Sequence, residues 1–316
     1  MDFTERHSSK IMKADVSTLA VAGALEKARA ADKSAAAILC ELFKVRLTAL
    51  VLLTAFVGFY AGWSGPMAWG LMLNTVAGTA LLAAGASALN QWMERDADAK
   101  MRRTIDRPLP SGRITAEGAL VIGGVCAGAG LLWLALAVNA LTALLGAATL
   151  GIYLLVYTPL KRVTTLNTAI GAVPGALPPL MGWTAARGEM SGEGWALFAI
   201  LFFWQMPHFL AIAWIYREDY ARGGFAMLPV KDPTGARTGK QAVWHALGLL
   251  PVSLCPFVFG AAGPVYLAGA LALGAGYLWR AVQFERRISM EGARRLFYAS
   301  ILYLPLLLAL MVLDRK

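Results

Sequence analysis

Charged residues are scarce in this chain: of 316 residues only 15% are Asp, Glu, Lys or Arg, whereas 58% are hydrophobic. Soluble domains are about a quarter charged and about half apolar, so the composition argues against a soluble protein. Apolar runs of the roughly 20 residues that a helix needs to cross a bilayer recur from residue 46 to residue 313. The sequence therefore predicts an all-α, polytopic membrane protein embedded in the lipid bilayer.

Cysteine is also rare, with three residues in the chain. Cys40, Cys126 and Cys255 show neither CxxC pairing nor metal-ligand spacing, which argues against a disulfide framework and against a structural zinc site. The net charge of +10 would favour nucleic acid as a partner of a soluble protein. In a membrane protein, however, lysine and arginine first report topology, so no nucleic-acid partner is expected.

Nine apolar spans are predicted, near residues 46–63, 66–92, 115–137, 139–157, 165–184, 194–216, 241–262, 264–281 and 296–313. Of the 29 Lys and Arg residues, 26 fall on one side of this arrangement. The positive-inside rule makes that side cytoplasmic, which places the N-terminus in the cytoplasm. Residues 1–43 resemble neither a transit peptide nor a secretory signal and are expected to form a cytoplasmic extension of a nine-helix domain at 44–316.

One amide and two carboxylates lie at the end of the second span, at Asn90, Glu94 and Asp98. Their spacing of four advances about 40° per step around a helix, so all three share one helical face. Such oxygen ligands suit Mg²⁺, which shares its coordination shell with substrate phosphates. We interpret this face as a candidate magnesium and diphosphate site. The alternative is a solvated loop whose charges only follow topology.

Basic residues follow this face, and arginine is suited to contacts with phosphate oxygens. They are Arg102, Arg103, Arg107 and Arg113. Pro108 and Pro110 end any helix and are expected to hold residues 107–113 extended. Lys161 and Arg162, in a later short loop, either supply two further cations or only report topology.

A second acidic cluster follows the sixth span, where Glu218 and Asp219 precede Arg222 and Lys231. Two acidic clusters on one membrane face can hold one polyanion between them through metal ions. Acid, Mg²⁺ and arginine together neutralise the charge that develops when a carbon–oxygen bond to diphosphate breaks. A transporter for an anionic metabolite is the competing class of protein, but the polar residues lie at one face and not at the midplane.

The string Asn90-x-x-x-Glu94-x-x-x-Asp98 resembles the first aspartate-rich motif of the UbiA-type intramembrane prenyltransferases. Further blocks are similar to the protohaem IX farnesyltransferase (haem O synthase) branch of this family. They are YTPLKR at 157–162, GAVPGALPP at 171–179, WQMPHF at 204–209 and DYARGGFAMLP at 219–229. Two features depart from the family pattern: Glu94 replaces the usual middle aspartate, and the second motif lacks a DxxxD pair. Glu218, Asp219 and Tyr220 therefore all remain candidates for the second metal contact.

The resemblance implies a nine-helix bundle whose central cavity is capped by the two acidic loops. It implies Mg²⁺-dependent transfer of farnesyl from farnesyl diphosphate to a vinyl group of haem B, giving haem O for terminal oxidase assembly. An aromatic quinone precursor is the alternative acceptor. Haem A synthase or oxidase assembly proteins are the implied partners. The expected location is a bacterial inner membrane, with the active site on the cytoplasmic side.

The resemblance also assigns roles to individual residues. The implied ligands of the metal and its diphosphate are Asn90, Glu94 and Asp98, with Asp219 serving a second metal cluster. The residues expected to bind the diphosphate are Arg102, Arg103, Arg107, Lys161 and Arg162.

Two spans contain residues that are unusual in a membrane helix. His208 lies within the sixth span directly after Pro207, and an ionisable residue at such a position is a functional candidate. Its imidazole can ligate haem iron, bind a propionate or act near a developing cation, so His208 is a predicted catalytic residue. Alternatively, His208 has a structural role and forms a hydrogen bond with a backbone carbonyl group that Pro207 leaves without a donor. Prolines at 174, 178 and 179 are expected to break up the fifth span.

Overall fold

The computed structural model describes residues 33–316, so most of the predicted N-terminal extension lies outside the described residues. The described part is helical and has no β-strand. Its helices are α1 (Ala35–Leu42), α2 (Val45–Gly62), α3 (Trp69–Asp98), α4 (Ala116–Ala137), α5 (Ala140–Leu160), α6 (Asn167–Arg187), α7 (Gly192–Ile215), α8 (Arg217–Arg222), α9 (Leu228–Lys231), α10 (Ala236–Val258), α11 (Pro264–Arg286) and α12 (Met290–Leu313).

The prediction of an all-helical, multi-pass membrane protein is confirmed. Within residues 33–316, eight helices are long and apolar enough to cross a membrane. The ninth long helix, α6, does not meet that measure; 14 of its 21 residues are buried, and it contains three prolines. Because α6 packs against α2, α3, α5 and α7, it needs no broad lipid-compatible surface. Nine membrane crossings and a cytoplasmic N-terminus remain predictions.

The expected break in the fifth span is wrong, because α6 runs without interruption through all three of its prolines. The backbones of α2 and α6 touch at two places. A Cβ atom added to Gly58 would lie 2.0 Å from the carbonyl oxygen of Pro179, and one added to Gly182 would lie 1.9 Å from that of Ala55. Such close packing at small residues is how membrane helices associate, and here it supports a helix that proline weakens.

The end of the predicted N-terminal extension packs against α3. Leu42 is fully buried, and its carbonyl oxygen accepts hydrogen bonds from Ser87 Oγ at 2.9 Å and from Gln91 Nε2 at 2.7 Å. These bonds hold the segment between α1 and α2 against the polar end of α3. Lys44 lies in this segment with a φ of 46° and is the one non-glycine residue of the described range with a positive φ.

A π-helical segment, Ile152–Tyr157, interrupts α5 near its C-terminal end. Thr158 Oγ1 donates to the carbonyl oxygen of Tyr153 at 2.8 Å, which satisfies one backbone group in this wider turn. The rings of Tyr153 and Tyr157 stack with centroids 5.7 Å apart. Short π-helical segments occur often at functional sites, and this one brings two aromatic rings beside the acidic end of α3.

Candidate active site

A polar cavity of about 90 Å³ lies between the C-terminal ends of α3 and α5. The predicted face of α3 lines it with Asn90, Glu94 and Asp98, so the expectation that these three residues share one helical face is confirmed. The helix continues to Asp98, six residues past the predicted end of the span, which keeps all three residues on one helical face. Arg107 and Lys161 also line the cavity, from two different loops.

The three α3 side chains are buried, and each has protein partners. Asn90 Nδ2 donates to Thr158 Oγ1 at 3.1 Å, and Lys44 Nζ lies 3.4 Å from Asn90 Oδ1. Asp98 is fully buried, and Glu94 is 5% exposed. A carboxylate is expensive to bury unless cations or hydrogen-bond donors compensate its charge, so the surroundings of these two acids determine what the cavity can bind.

Each of the two acids has a cation as its partner. Arg107 Nη1 lies 2.6 Å from Asp98 Oδ2, and Lys161 Nζ lies 2.8 Å from Glu94 Oε1. Burial alone would lower the pKa of Lys161, but the neighbouring Tyr157 and Glu94 raise that pKa above the ordinary lysine value. The cavity therefore combines two carboxylates with cations that are held in place in their charged form.

The other oxygen of Asp98, Oδ1, is buried and has no hydrogen-bond partner within the described residues. A buried oxygen without a donor costs roughly 1–3 kcal/mol, so an unpaired carboxylate oxygen here fits an additional cation. No group of three or more His, Cys, Asp or Glu side chains within residues 33–316 could hold a metal ion alone. Mg²⁺ requires only one or two carboxylates when substrate phosphates and water complete its shell, so Asn90, Glu94 and Asp98 fit it in that shared mode.

Asp219, the fourth predicted metal ligand, is buried but does not line the cavity. Its carboxylate accepts from the backbone N–H of Arg102 at 3.2 Å and from the guanidinium of Arg222. Burial alone would raise the pKa of Asp219, but these two donors hold that pKa below its ordinary value. Asp219 therefore fastens the loop after α3 to α8. Of its neighbours, Glu218 is exposed and Tyr220 lines the cavity.

The predicted diphosphate-binding arginines do not all reach the cavity. Arg103 lines it, and its guanidinium lies over the rings of Tyr216 and Tyr220, 5.2 and 5.6 Å from their centroids. Arg102 and Arg162 are exposed and are not among the lining residues. The structure thus brings together three of the five predicted phosphate-binding cations, namely Arg103, Arg107 and Lys161.

The expectation of an extended segment at 107–113 is wrong, because the loop folds into successive turns. The carbonyl oxygen of Arg107 accepts from the backbone N–H of Ser111 at 3.1 Å, and that of Pro108 accepts from Arg113 at 2.9 Å. Thr104 Oγ1 donates to the carbonyl oxygen of Asp98 at 2.9 Å, which draws the start of the loop back onto α3. The helix α3 already ends at Asp98, ten residues before Pro108, and the compact loop returns Arg107 to Asp98.

The structure does not bring His208 to the other predicted site residues. Its Nδ1 lies 2.7 Å from Ser300 Oγ, and the imidazole stacks on Trp204 and Phe297 with centroids 5.2 and 5.1 Å away. Since Ser300 Oγ donates to the carbonyl oxygen of Phe297, it accepts from His208. His208 thus joins α7 to α12, through a hydroxyl group and not through a carbonyl freed by Pro207.

Residues 51–307 match the UbiA prenyltransferase family. The chain belongs to this family. It is 47% identical over 284 residues to protoheme IX farnesyltransferase of Solibacter usitatus, covering 87% of this chain and 97% of that protein. It is 39% identical over 276 residues to the mitochondrial protoheme IX farnesyltransferase of Arabidopsis thaliana, covering 87% of this chain and 64% of that protein.

Solved structures share the fold at low sequence identity. A digeranylgeranylglyceryl phosphate synthase has a TM-score of 0.75 at 16% identity, with coverage of 88% of this chain and 97% of that chain. A UbiA homologue from Archaeoglobus fulgidus bound to GPP and Mg²⁺ has a TM-score of 0.63 at 16% identity, with coverage of 87% and 99%. The UbiA assignment made from motifs is therefore confirmed by both sequence and fold.

Two features of this UbiA-family cavity were missed by the sequence reasoning. Lys44 lines the cavity, and burial together with the nearby charges of Arg107 and Lys161 lowers its pKa to about 7. The ring of Tyr157 lies 4.4 Å from Lys161 Nζ, and Tyr153 lines the same wall. The spacing of four between the two tyrosines is a signal that could have been used, whereas no local pattern marks Lys44.

Proposed function

We propose that this chain transfers the farnesyl group of farnesyl diphosphate to a vinyl group of haem B and so makes haem O. Identities of 47%, 44% and 48% to proteins named protoheme IX farnesyltransferase support this donor and acceptor. The observation that carries the proposal is the paired arrangement in the cavity, where Asp98 meets Arg107 and Glu94 meets Lys161. Carboxylates for a metal ion and cations for a diphosphate thus lie within one small space.

The cations of the cavity would bind the diphosphate. Arg107 offers a planar fork of donors that matches phosphate oxygens, and Lys161 acts as a point charge. Lys44, whose pKa burial lowers to about 7, would take up its proton beside the anionic diphosphate. These groups are already oriented by Asp98, Asn90 and Glu94, so the cavity needs little reorganisation when the substrate binds. Fixed charges of this kind stabilise a leaving group most effectively where water is excluded.

Asn90, Glu94 and Asp98 would hold Mg²⁺, with the unpaired Oδ1 of Asp98 as its central ligand. Bound there, the ion would neutralise the charge that develops on the diphosphate as the carbon–oxygen bond breaks. We assign Asp219 a positioning role in the loop after α3, because its carboxylate already accepts from Arg102 and Arg222. A UbiA homologue solved with GPP and Mg²⁺ supports the use of a prenyl diphosphate with this metal.

The aromatic wall of the cavity would face the allylic cation. Tyr153, Tyr157 and Phe225 line the space and present π faces, which stabilise positive charge without capturing it. The allylic carbon–oxygen bond of the donor breaks, and the farnesyl C1 bonds to the terminal carbon of the haem vinyl group. Water adds its oxygen to the inner vinyl carbon, and its proton leaves with the diphosphate. Farnesyl diphosphate, haem B and water thus give haem O and diphosphate.

The protein is a multi-pass membrane protein, and we propose a bacterial inner membrane with the cavity on the cytoplasmic side. The distribution of lysine and arginine supports this orientation, since 26 of 29 lie on the side of the cavity loops. The product would pass to haem A synthase or to oxidase assembly proteins. The resemblance to haem O synthases supports this last step.

Haem extraction from a haem-O-deficient bacterial strain tests the function directly. We expect haem O in cells that express the parent chain and none with Asp98→Ala. The matched control is Asp96→Ala, because Asp96 lies on the same helix with its side chain 79% exposed. A folded, membrane-inserted parent that yields no haem O would contradict the proposal. Prenylated quinone precursors would then indicate an aromatic acceptor, and flux without chemical change would indicate transport.

A further inference from the structure

A second cavity, a cleft of about 440 Å³, lies between the start of α6, the middle of α7 and the start of α10. Arg237 and Lys240 of α10 form its polar rim, whereas Met206, Leu210 and Trp244 contribute apolar surface. None of the residues that line this cleft also lines the acidic cavity. Its volume falls within the range of roughly 300–1,000 Å³ that is typical of small-molecule sites.

The two cations at the rim of the cleft have no acidic partner. Arg237 and Lys240 are three residues apart on α10, so they project from one face, and both are exposed. Within residues 33–316 neither residue forms an ion pair. Asp232, the acid that precedes α10, accepts from the backbone N–H and the hydroxyl of Thr238 at 2.8 and 2.9 Å. The rim thus offers two unpaired positive charges above an apolar floor.

The cleft and the acidic cavity share one wall, the strap of residues 225–228. Phe225 and Met227 line the acidic cavity, while Leu228 lines the cleft. The strap is held at Ala226, whose N–H donates to the carbonyl oxygen of Lys161 at 2.6 Å and whose carbonyl oxygen accepts from Asn167 Nδ2 at 3.0 Å. A molecule in the cleft therefore lies directly across the strap from the diphosphate site.

We infer that the cleft binds the tetrapyrrole acceptor, with its two propionates at Arg237 and Lys240 and its vinyl half against the strap of residues 225–228, the wall that the cleft shares with the acidic cavity. The inference rests on the proposed function, which supplies a planar acceptor with two carboxylates on one edge. That shape and charge match the cleft, because an apolar ring can lie against Met206 and Leu210 while the carboxylates reach the cations. Trp244, 65% exposed, offers a flat surface beside the ring.

Steady-state kinetics of the full chain in nanodiscs of uncharged lipid tests the cleft. We expect the Arg237→Gln/Lys240→Gln variant to raise the KM for haem B by about 10- to 100-fold, because two charge-assisted contacts are lost. The KM for farnesyl diphosphate stays unchanged, since these residues lie outside the acidic cavity. The control, Arg286→Gln/Arg294→Gln, removes the same charge at exposed positions that line neither cavity. An unchanged KM for haem B in the first variant would overturn the inference.

A second substrate separates propionate binding from other effects of charge. Haem B dimethyl ester lacks the two carboxylates, so the parent should show for it the raised KM that the Arg237→Gln/Lys240→Gln variant shows for haem B. For the Arg237→Gln/Lys240→Gln variant, the KM values for haem B and for its dimethyl ester should be equal. If the variant keeps the parent's ratio of the KM values for haem B and its ester, and the parent's KM for haem B changes when anionic lipid is added to the nanodiscs, the cations bind lipid headgroups and the inference fails.

A further measurement distinguishes failure of the inference that the cleft binds haem from failure of the proposed function. A parent chain that forms no haem O refutes the function, and haem binding is then measured without turnover. Haem should quench the fluorescence of Trp244, with Trp244→Phe as the reference for the other tryptophans. If the same haem concentration quenches Trp244 in the parent and in the Arg237→Gln/Lys240→Gln variant, the inference that the cleft binds haem through these two cations is refuted.

Discussion

Arg107 donates to one oxygen of Asp98 at 2.6 Å, while the second oxygen of the same carboxylate is buried without a partner among residues 33–316. The side chain of Asp98 is 1% exposed and that of Arg107 is 21% exposed, so solvent screens this pair only weakly. In the function that we propose, this carboxylate positions a cation for the diphosphate with one oxygen and leaves the other oxygen for a metal ion.

The Asp98–Arg107 pair should contribute to the stability of the fold. Asp98→Asn should lower the free energy of unfolding by about 3 kcal/mol, because removing one partner leaves the other charge uncompensated. Adding Arg107→Gln should restore part of that loss, yet neither variant should make haem O. Thermal unfolding in detergent measures the stability of the parent, of Asp98→Asn and of the double variant, with Asp96→Asn as the exposed control. A double variant less stable than Asp98→Asn would contradict this account of the pair.

Lys44 should act on the diphosphate and not on the fold. We expect Lys44→Gln to raise the KM for farnesyl diphosphate by about 10-fold, because one charge-assisted contact with phosphate is lost. Arg46, exposed on the first turn of α2, supplies the control Arg46→Gln. The measurement is a donor titration at saturating haem B. Equal effects of the two substitutions would mean that only general surface charge matters.

Asp219 should contribute to stability in a way that depends on pH. Its folded-state pKa lies below the ordinary value, so its contribution is fully present above about pH 4 and is lost as the pH falls toward the folded-state pKa. Unfolding temperatures of the parent and Asp219→Asn should therefore differ at pH 6 and converge below pH 4. Glu218→Gln, at an exposed neighbour, should match the parent throughout.

The same variant tests the assignment of Asp219 as a positioning residue. We expect Asp219→Asn to leave the Mg²⁺ concentration for half-maximal rate within about twofold, since the carboxylate serves Arg102 and Arg222. Asp98→Asn removes the proposed metal ligand and should abolish turnover at any Mg²⁺ concentration. A large rise in the Mg²⁺ requirement of Asp219→Asn would instead make Asp219 a ligand of a second metal ion.

The aromatic wall should depend on the ring of Tyr157 and not on its hydroxyl group. Tyr157→Leu should lower kcat by about 10-fold, because a cation–π interaction contributes roughly 0.5–2 kcal/mol. Tyr157→Phe retains the π face and should stay close to the parent. Single-turnover rates at saturating substrates isolate this step from product release. Equal losses in both variants would shift the role to the hydroxyl group.

Features of the site that depend on a local period could be predicted from the sequence. Asn90, Glu94 and Asp98 face one cavity because the helical repeat fixes their direction whatever the tertiary structure is. Lys44 reaches Asn90 across 46 positions, and Asp219 reaches Arg102 across 117. Such contacts arise from the packing of distant helices, and no spacing along the chain encodes them.

The outcomes for proline and histidine also depend on neighbouring helices. Local propensity predicts a break at Pro174 and Pro178, but close contact with α2 keeps α6 helical. An ionisable group within a span favours function, yet His208 finds a hydroxyl partner on α12, at Ser300. In each case a neighbouring helix supplies what the isolated segment lacks.

The contacts of Gly58 with Pro179 and of Gly182 with Ala55 restrict how a long isoprenoid tail can enter. A substrate dissolved in the hydrocarbon layer has to slide between two helices to reach the acidic cavity. At the seam between α2 and α6 the main chains already touch, so this seam would have to part before even one methylene group could pass. The entrance for the fifteen-carbon chain must therefore lie between a different pair of helices.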